Sequence, residues 1–169
     1  MEFFEECAKH IAAIPNNREY RWFKNAFTEY DRIIILGNGG SNAIASHMSQ
    51  DYVKAGGKHS LAFSDPAMLT CFVNDYGLQQ AYVEFLKAYV TKDTLVILIS
   101  SRGESSNILN CVWHCEDRDI PYGVLTAFNR ENRIRYATSN AIFDYHIDTH
   151  SYGVAECVHQ TFLHGVVPS

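Results

Sequence analysis

The chain has little that would anchor it in a bilayer, staple it covalently or attach it to a polyanion. No apolar run approaches the roughly 20 residues of a membrane span, although 47% of its residues are hydrophobic. Basic residues are outnumbered, 14 Lys and Arg against 19 Asp and Glu. They form no block, which argues against a nucleic-acid-binding surface and leaves room only for a local basic pocket. There is no CxxC pair. The five cysteines, Cys7, Cys71, Cys111, Cys115 and Cys157, are odd in number and scattered through apolar stretches. That pattern points to reduced thiols and a cytoplasmic setting. Cys111 and Cys115 stand one turn apart on an expected helix and read as core packing. The opening Met1-Glu2-Phe3-Phe4-Glu5-Glu6 is acidic and lacks the positive start of a signal peptide.

What the chain does have is one strongly marked junction. Ile33-Ile34-Ile35-Leu36 is a short β-branched run that stops at Gly37-Asn38-Gly39-Gly40-Ser41, and a helical pattern follows. The run reads as a buried strand. Its glycines allow positive φ and close approach of a ligand to the main chain. Ser41 or Asn42 is expected to cap the helix, whose free N–H groups and dipole favour an anion. The turn fits neither GxGxxG nor GxxxxGK[ST], the two common nucleotide fingerprints. A phosphate is the expected occupant.

Around this junction strands and helices alternate. Residues 2–13 and 18–29 read as amphipathic helices separated by Pro15-Asn16-Asn17. Strands are expected at 32–36, 59–63, 94–99, 122–126 and 141–147. Helices are expected to about 54, from 66 to about 72, and over 78–90, 106–118 and 153–166. Asn74-Asp75-Tyr76-Gly77 has turn chemistry and reads as a loop. Residues 94–99 are apolar after the first and fit the centre of a parallel sheet. The fold class is therefore α/β, one domain over residues 1–169. It is a three-layer sandwich around a five-stranded parallel sheet. The helices of residues 1–30 precede the first strand and are expected to pack at a subunit interface or across the sheet. Ligands of such sheets sit beyond the strands' carboxyl ends. There a second polar turn, Ser100-Ser101-Arg102-Gly103-Glu104-Ser105-Ser106-Asn107, feeds another helix N-terminus.

These residues resemble the sugar isomerase (SIS) domain family, whose fold is flavodoxin-like, and within it the phosphoheptose isomerases. The matching positions are Gly37-Asn38-Gly39-Gly40-Ser41, His47, Ser64-Asp65, Val73-Asn74-Asp75-Tyr76-Gly77, Ser100-Ser101 with Gly103 and Ser105, and His159 and His164. The resemblance implies a cytoplasmic homotetramer with active sites between subunits. It implies aldose–ketose isomerisation of a phosphosugar, sedoheptulose 7-phosphate to D-glycero-D-manno-heptose 7-phosphate, through an enediol. Gly39, Gly40, Ser41, Ser100, Ser101 and Ser105 would surround the phosphate. Asn38, Asp65 and Asn74, with Asp75 in the same segment, would line the sugar. Asp51 falls at the family's catalytic glutamate, His164 at its catalytic histidine and Glu156 at its late glutamine. With His47, these positions can bind zinc in the family.

The residues themselves add conditions. An enediol mechanism needs a base, an acid and stabilisation of the enediolate. His47 and Asp51, at i and i+4, share a helix face; aspartate is one methylene shorter than glutamate, and proton transfer needs contact. Glu156 and His164, eight apart, lie roughly 80° apart around a helix and ~12 Å along it. They reach one site only if their side chains lean together or subunits share them. His159 has no evident partner and reads as structural. Arg102 stands where the family has a small hydroxyl residue; it either contacts the phosphate or a sugar carboxylate, or pairs with Glu104. Two other function classes stay open: a non-catalytic SIS module that binds a phosphosugar or a partner protein, and an isomerase of a different phosphosugar.

Overall fold

The computed structural model describes residues 2–168. Five parallel strands are ordered β2-β1-β3-β4-β5: β1 Arg32–Gly37, β2 His59–Ala62, β3 Thr94–Ser100, β4 Tyr122–Ala127 and β5 Phe143–Ile147. The helices are α1 Phe3–Ala13, α2 Arg18–Glu29, α3 Gly40–Lys54, α4 Pro66–Tyr76, α5 Leu78–Tyr89, α6 Ser106–Asp117, α7 Arg133–Ala137 and α8 Tyr152–His164. The order reverses between β1 and β3, so the loops leaving these two strands flank the crevice in which doubly wound sheets take ligands.

Strand period two sorts the core into halves. Ile33, Ile35, Leu95, Ile97 and Ile99 face one layer, with Phe23 and Phe27 of α2, Met48 and Tyr52 of α3 and Phe162 of α8. Ile34, Leu36, Val96 and Leu98 face the other, with Tyr82 and Phe85 of α5 and Ile108 and Val112 of α6. Cys111 and Cys115 are fully buried in this second half. The early helices pack across the sheet of their own chain. Phe23 stacks on Phe162 at 5.2 Å and lies 5.1 Å from Phe143 of β5, and α1 lies along α8.

Local expectations are corrected at α4 and at the start of α3. Asn74, Asp75 and Tyr76 form no loop; they complete α4, and only Gly77, at φ 72, leaves the helix. Polar residues finish a helix as readily as they start a turn, and the positive-φ glycine just beyond is the true stop signal. Neither Ser41 nor Asn42 caps α3. Its N-cap is Gly39, at φ 54, with no side-chain bond. Asn42 accepts from Ser64 at 3.1 Å instead. The polar stretch between β4 and β5 contains the short helix α7.

Candidate active site

The two polar turns meet. Asn38, Gly39, Gly40 and Ser41 from one side and Ser100, Ser101, Arg102 and Ser105 from the other line a crevice of about 310 Å³, with Tyr152 and Glu156 of α8 at its rim. Their spacing is set by a reciprocal amide pair. Asn38 Nδ2 donates to Asn107 Oδ1 at 2.9 Å, and Asn107 Nδ2 donates to Asn38 Oδ1 at 2.8 Å. Asn107 is buried in the first turn of α6, so this pair ties the start of α6 to the exit of β1. Asn107→Leu keeps the volume but leaves Asn38 without its partner. Phosphosugar or inorganic phosphate affinity is then expected to fall about tenfold, read by titration calorimetry, in line with the 1–3 kcal/mol of an unpaired buried group.

Each turn presents unused donors. The main-chain N–H groups of Gly39 and Gly40 reach no backbone carbonyl among the described residues, as befits the N-cap and first residue of a helix. Ser105 is the N-cap of α6 without a side-chain cap bond, and its hydroxyl lies 3.3 Å from that of Ser100. Gly37 must be glycine, because a Cβ there would lie 2.7 Å from that of Ser41. Gly103, at φ 68, has Asn132 packed against it where a Cβ would be, and Ile134 N donates to its carbonyl at 3.0 Å. Asn132 is fully buried and caps α7 by accepting from Arg135 N. The helix missed in the sequence thus braces the serine turn from behind. Arg102 does not pair with Glu104, whose carboxylate accepts from Arg133 N at 3.2 Å. Arg102 lines the crevice, and it makes no ion pair among the described residues.

A second group lies further along the same two helices. His47 Nε2 is 3.3 Å from Asp51 Oδ2, and His164 Nδ1 is 3.6 Å from the same oxygen. One ligand atom from each residue falls within 4.8 Å of the others. Tetrahedral zinc with bonds of about 2.0–2.2 Å holds its ligands about 3.3–3.6 Å apart, so these three residues fit a divalent cation with a position left open. The expected ligand set is divided here: Glu156 is not part of this cluster. Its carboxylate rests against Gly40, where an added Cβ would overlap it. Glu156 and His164 share a helix, and the structure puts them at opposite ends of one α3–α8 seam. Gln160, unremarked in the sequence, lies between them with its amide nitrogen 3.4 Å from His164 Nε2.

The remaining candidates stand apart from both groups. Asp65 caps α4, accepting from Met68 N at 2.8 Å. Asn74 donates to Asp75 at 2.9 Å on the exposed last turn of α4. None of the three lines the crevice. His159 is fully buried, with Nε2 3.2 Å from Thr126 O.

No family model matches the chain. It is 33% identical over 93 residues to the phosphoheptose isomerase of Fusobacterium nucleatum, covering 52% of this chain and 48% of that protein. It is 28% identical over 131 residues to the phosphoheptose isomerase of Sodalis glossinidius, covering 75% and 66%. These matches span about half to two thirds of the length of the curated relatives. The structure of the Neisseria gonorrhoeae phosphoheptose isomerase superposes with a TM-score of 0.86 over 96% of this chain and 92% of that one, at 20% identity. The five-stranded α/β fold of this chain is therefore the fold of a solved phosphoheptose isomerase, carried by a sequence similar to curated ones over part of their length.

Proposed function

We propose that the protein is a sugar-phosphate isomerase of the phosphoheptose isomerase type, interconverting sedoheptulose 7-phosphate and D-glycero-D-manno-heptose 7-phosphate. The observation that carries this reading is a crevice between two donor-rich turns at the start of α3, with a His–Asp–His triad further along the α3–α8 seam. His47 lies six residues beyond Ser41, roughly 9 Å along α3. The seven bonds from phosphorus to C2 of an extended heptulose 7-phosphate span about 9 Å, and the three bonds of a triose phosphate about 4 Å. A sugar anchored by its phosphate at the serine and glycine turns thus brings C1 and C2 to the triad only if its chain is long.

At the triad Asp51 is the base. Its Oδ2 is turned toward both histidines, which leaves Oδ1 to take the proton from the carbon beside the carbonyl. Without a cation, His164 is the acid that returns a proton to oxygen; with one, it is a ligand. His47, Asp51 and His164 are the residues that would hold zinc. Bound there, zinc would supply Lewis-acid stabilisation of the charge that develops on the enediolate oxygens. Glu156 and Arg102 bring one charge of each sign to the crevice, whose other donors are neutral. Arg102 is then a charge-assisted partner for phosphate. The family resemblance further implies a homotetramer with sites completed at subunit interfaces, to which Asp65 at the start of α4 and Asn74 and Asp75 at its end, all exposed, would contribute.

The test is a coupled assay on ketose phosphates of three to seven carbons, with and without added zinc. Turnover of sedoheptulose 7-phosphate and none of dihydroxyacetone phosphate is expected. No turnover of any ketose phosphate, with thermal stabilisation by the same compounds, would replace this reading with that of a non-catalytic phosphosugar-binding module.

A further inference from the structure

Resting on the metal-binding reading of the triad, we propose that Gln160 is a positioning residue for His164, one that decides which ring nitrogen carries the proton. Gln160 stands one turn before His164 on α8, half-buried, with its carboxamide 3.4 Å from Nε2. The opposite ring nitrogen, Nδ1, faces Asp51 Oδ2 at 3.6 Å. Both edges of the imidazole are therefore engaged, one by an acceptor-only carboxylate and one by a group that either donates or accepts.

A neutral imidazole has one N–H and one lone pair. Without a cation, Asp51 requires a donor, so Nδ1 carries the hydrogen and Nε2 is left as an acceptor for the Gln160 NH₂. With a divalent cation in the triad, Nδ1 must offer its lone pair. The hydrogen then belongs on Nε2, which needs an acceptor. A carboxamide meets both demands by a half-turn about its last bond, with almost no change of shape. Leucine meets neither, and glutamate meets only the second. Such outer partners of metal-ligating histidines fix ring orientation and tautomer, and their loss typically weakens metal binding 10–100-fold. Gln160 lies on the far edge of the ring from Asp51, so it acts through His164 and is not itself a fourth ligand.

The experiment reads the His164 tautomer by long-range ¹H–¹⁵N correlation at pH 8.5, and zinc affinity by chelator competition, for the wild-type protein, Gln160→Leu and Gln160→Glu. The wild type is expected to carry the hydrogen on Nδ1 without zinc and on Nε2 with it. Gln160→Glu is expected to carry a hydrogen on Nε2 in both conditions, with a second on Nδ1 facing Asp51 where zinc is absent, and Gln160→Leu to bind zinc 10–100-fold more weakly. Wild-type tautomer and wild-type zinc affinity in both variants would overturn the assignment. A wild-type protein that takes up no zinc, while Gln160→Glu still puts a hydrogen on Nε2, would remove the metal reading and leave the role of Gln160 standing.

Discussion

Asp51→Asn is expected to lower kcat for ketose-phosphate isomerisation by about 10²–10⁴-fold, the usual contribution of a general base. The substitution is nearly isosteric, and Asp51 lies within α3 on its half-buried side. The helix and the core beneath it, Met48 and Tyr52, keep their packing. The loss is therefore chemical: asparagine cannot take a proton from carbon, and it presents no anion between His47 Nε2 and His164 Nδ1. The phosphate turns sit at the other end of the seam, so KM is expected to stay within a few-fold of wild type, the signature of an interaction made mainly in the transition state. Steady-state kinetics with the melting temperature measured in parallel separates this from unfolding. A variant that keeps kcat within threefold would remove Asp51 from the base role and leave the triad a structural polar cluster.

Much of the scaffold was legible because its signals are local. The β-branched run Ile33–Ile35 and the apolar stretch Leu95–Ile99 are short, continuous and ended by glycine or serine, and both are central strands. The glycine turn announced a helix start that a Cβ would spoil, and Gly37 confirms it sterically. What escaped notice depends on partners distant in the chain. Asn38 and Asn107 are 69 positions apart, and nothing in either neighbourhood marks them as a pair that sets the distance between two turns. Asn132 lies 29 positions beyond Gly103, the glycine it packs against. The last helix illustrates both cases. Helical arithmetic over Glu156 and His164 already implied that they could not both reach one point without leaning. The i, i+4, i+8 spacing of Glu156, Gln160 and His164 was visible, but which of them met Asp51 depended on how α8 lies against α3. In the α4 segment the turn chemistry of Asn74 and Asp75 suggests a loop where the helix in fact continues, since the chain leaves it only at Gly77.

The fully buried His159 gives the fold an acid limit that the site itself does not explain. Its ring lies under β4, with Nε2 3.2 Å from Thr126 O and Nδ1 without a partner. Burial drives its pKa down to about 4, partly offset by the Thr126 carbonyl, and His146, bonded through Nδ1 to Thr126 Oγ1 at 2.9 Å, adds to the depression. His146 is itself lowered to about 4, first by burial and then by Arg135, with Asp144 opposing. The folded chain thus keeps His159 neutral where the unfolded chain, with a histidine near 6.5, takes up a proton. Stability is complete above pH 6.5, falls as the pH drops from 6.5 toward 4, and levels off below that as far as this group is concerned. For His159 the loss amounts to roughly 3 kcal/mol. His159→Gln retains an N–H for the Thr126 carbonyl and cannot titrate. Urea unfolding at intervals from pH 7 to 4 is therefore expected to show wild type losing roughly 3 kcal/mol more than the variant across that window, with most of the difference appearing below pH 6. Parallel curves for the two proteins would mean that His159 is protonated in the fold, and that water or a carboxylate reaches Nδ1 in solution.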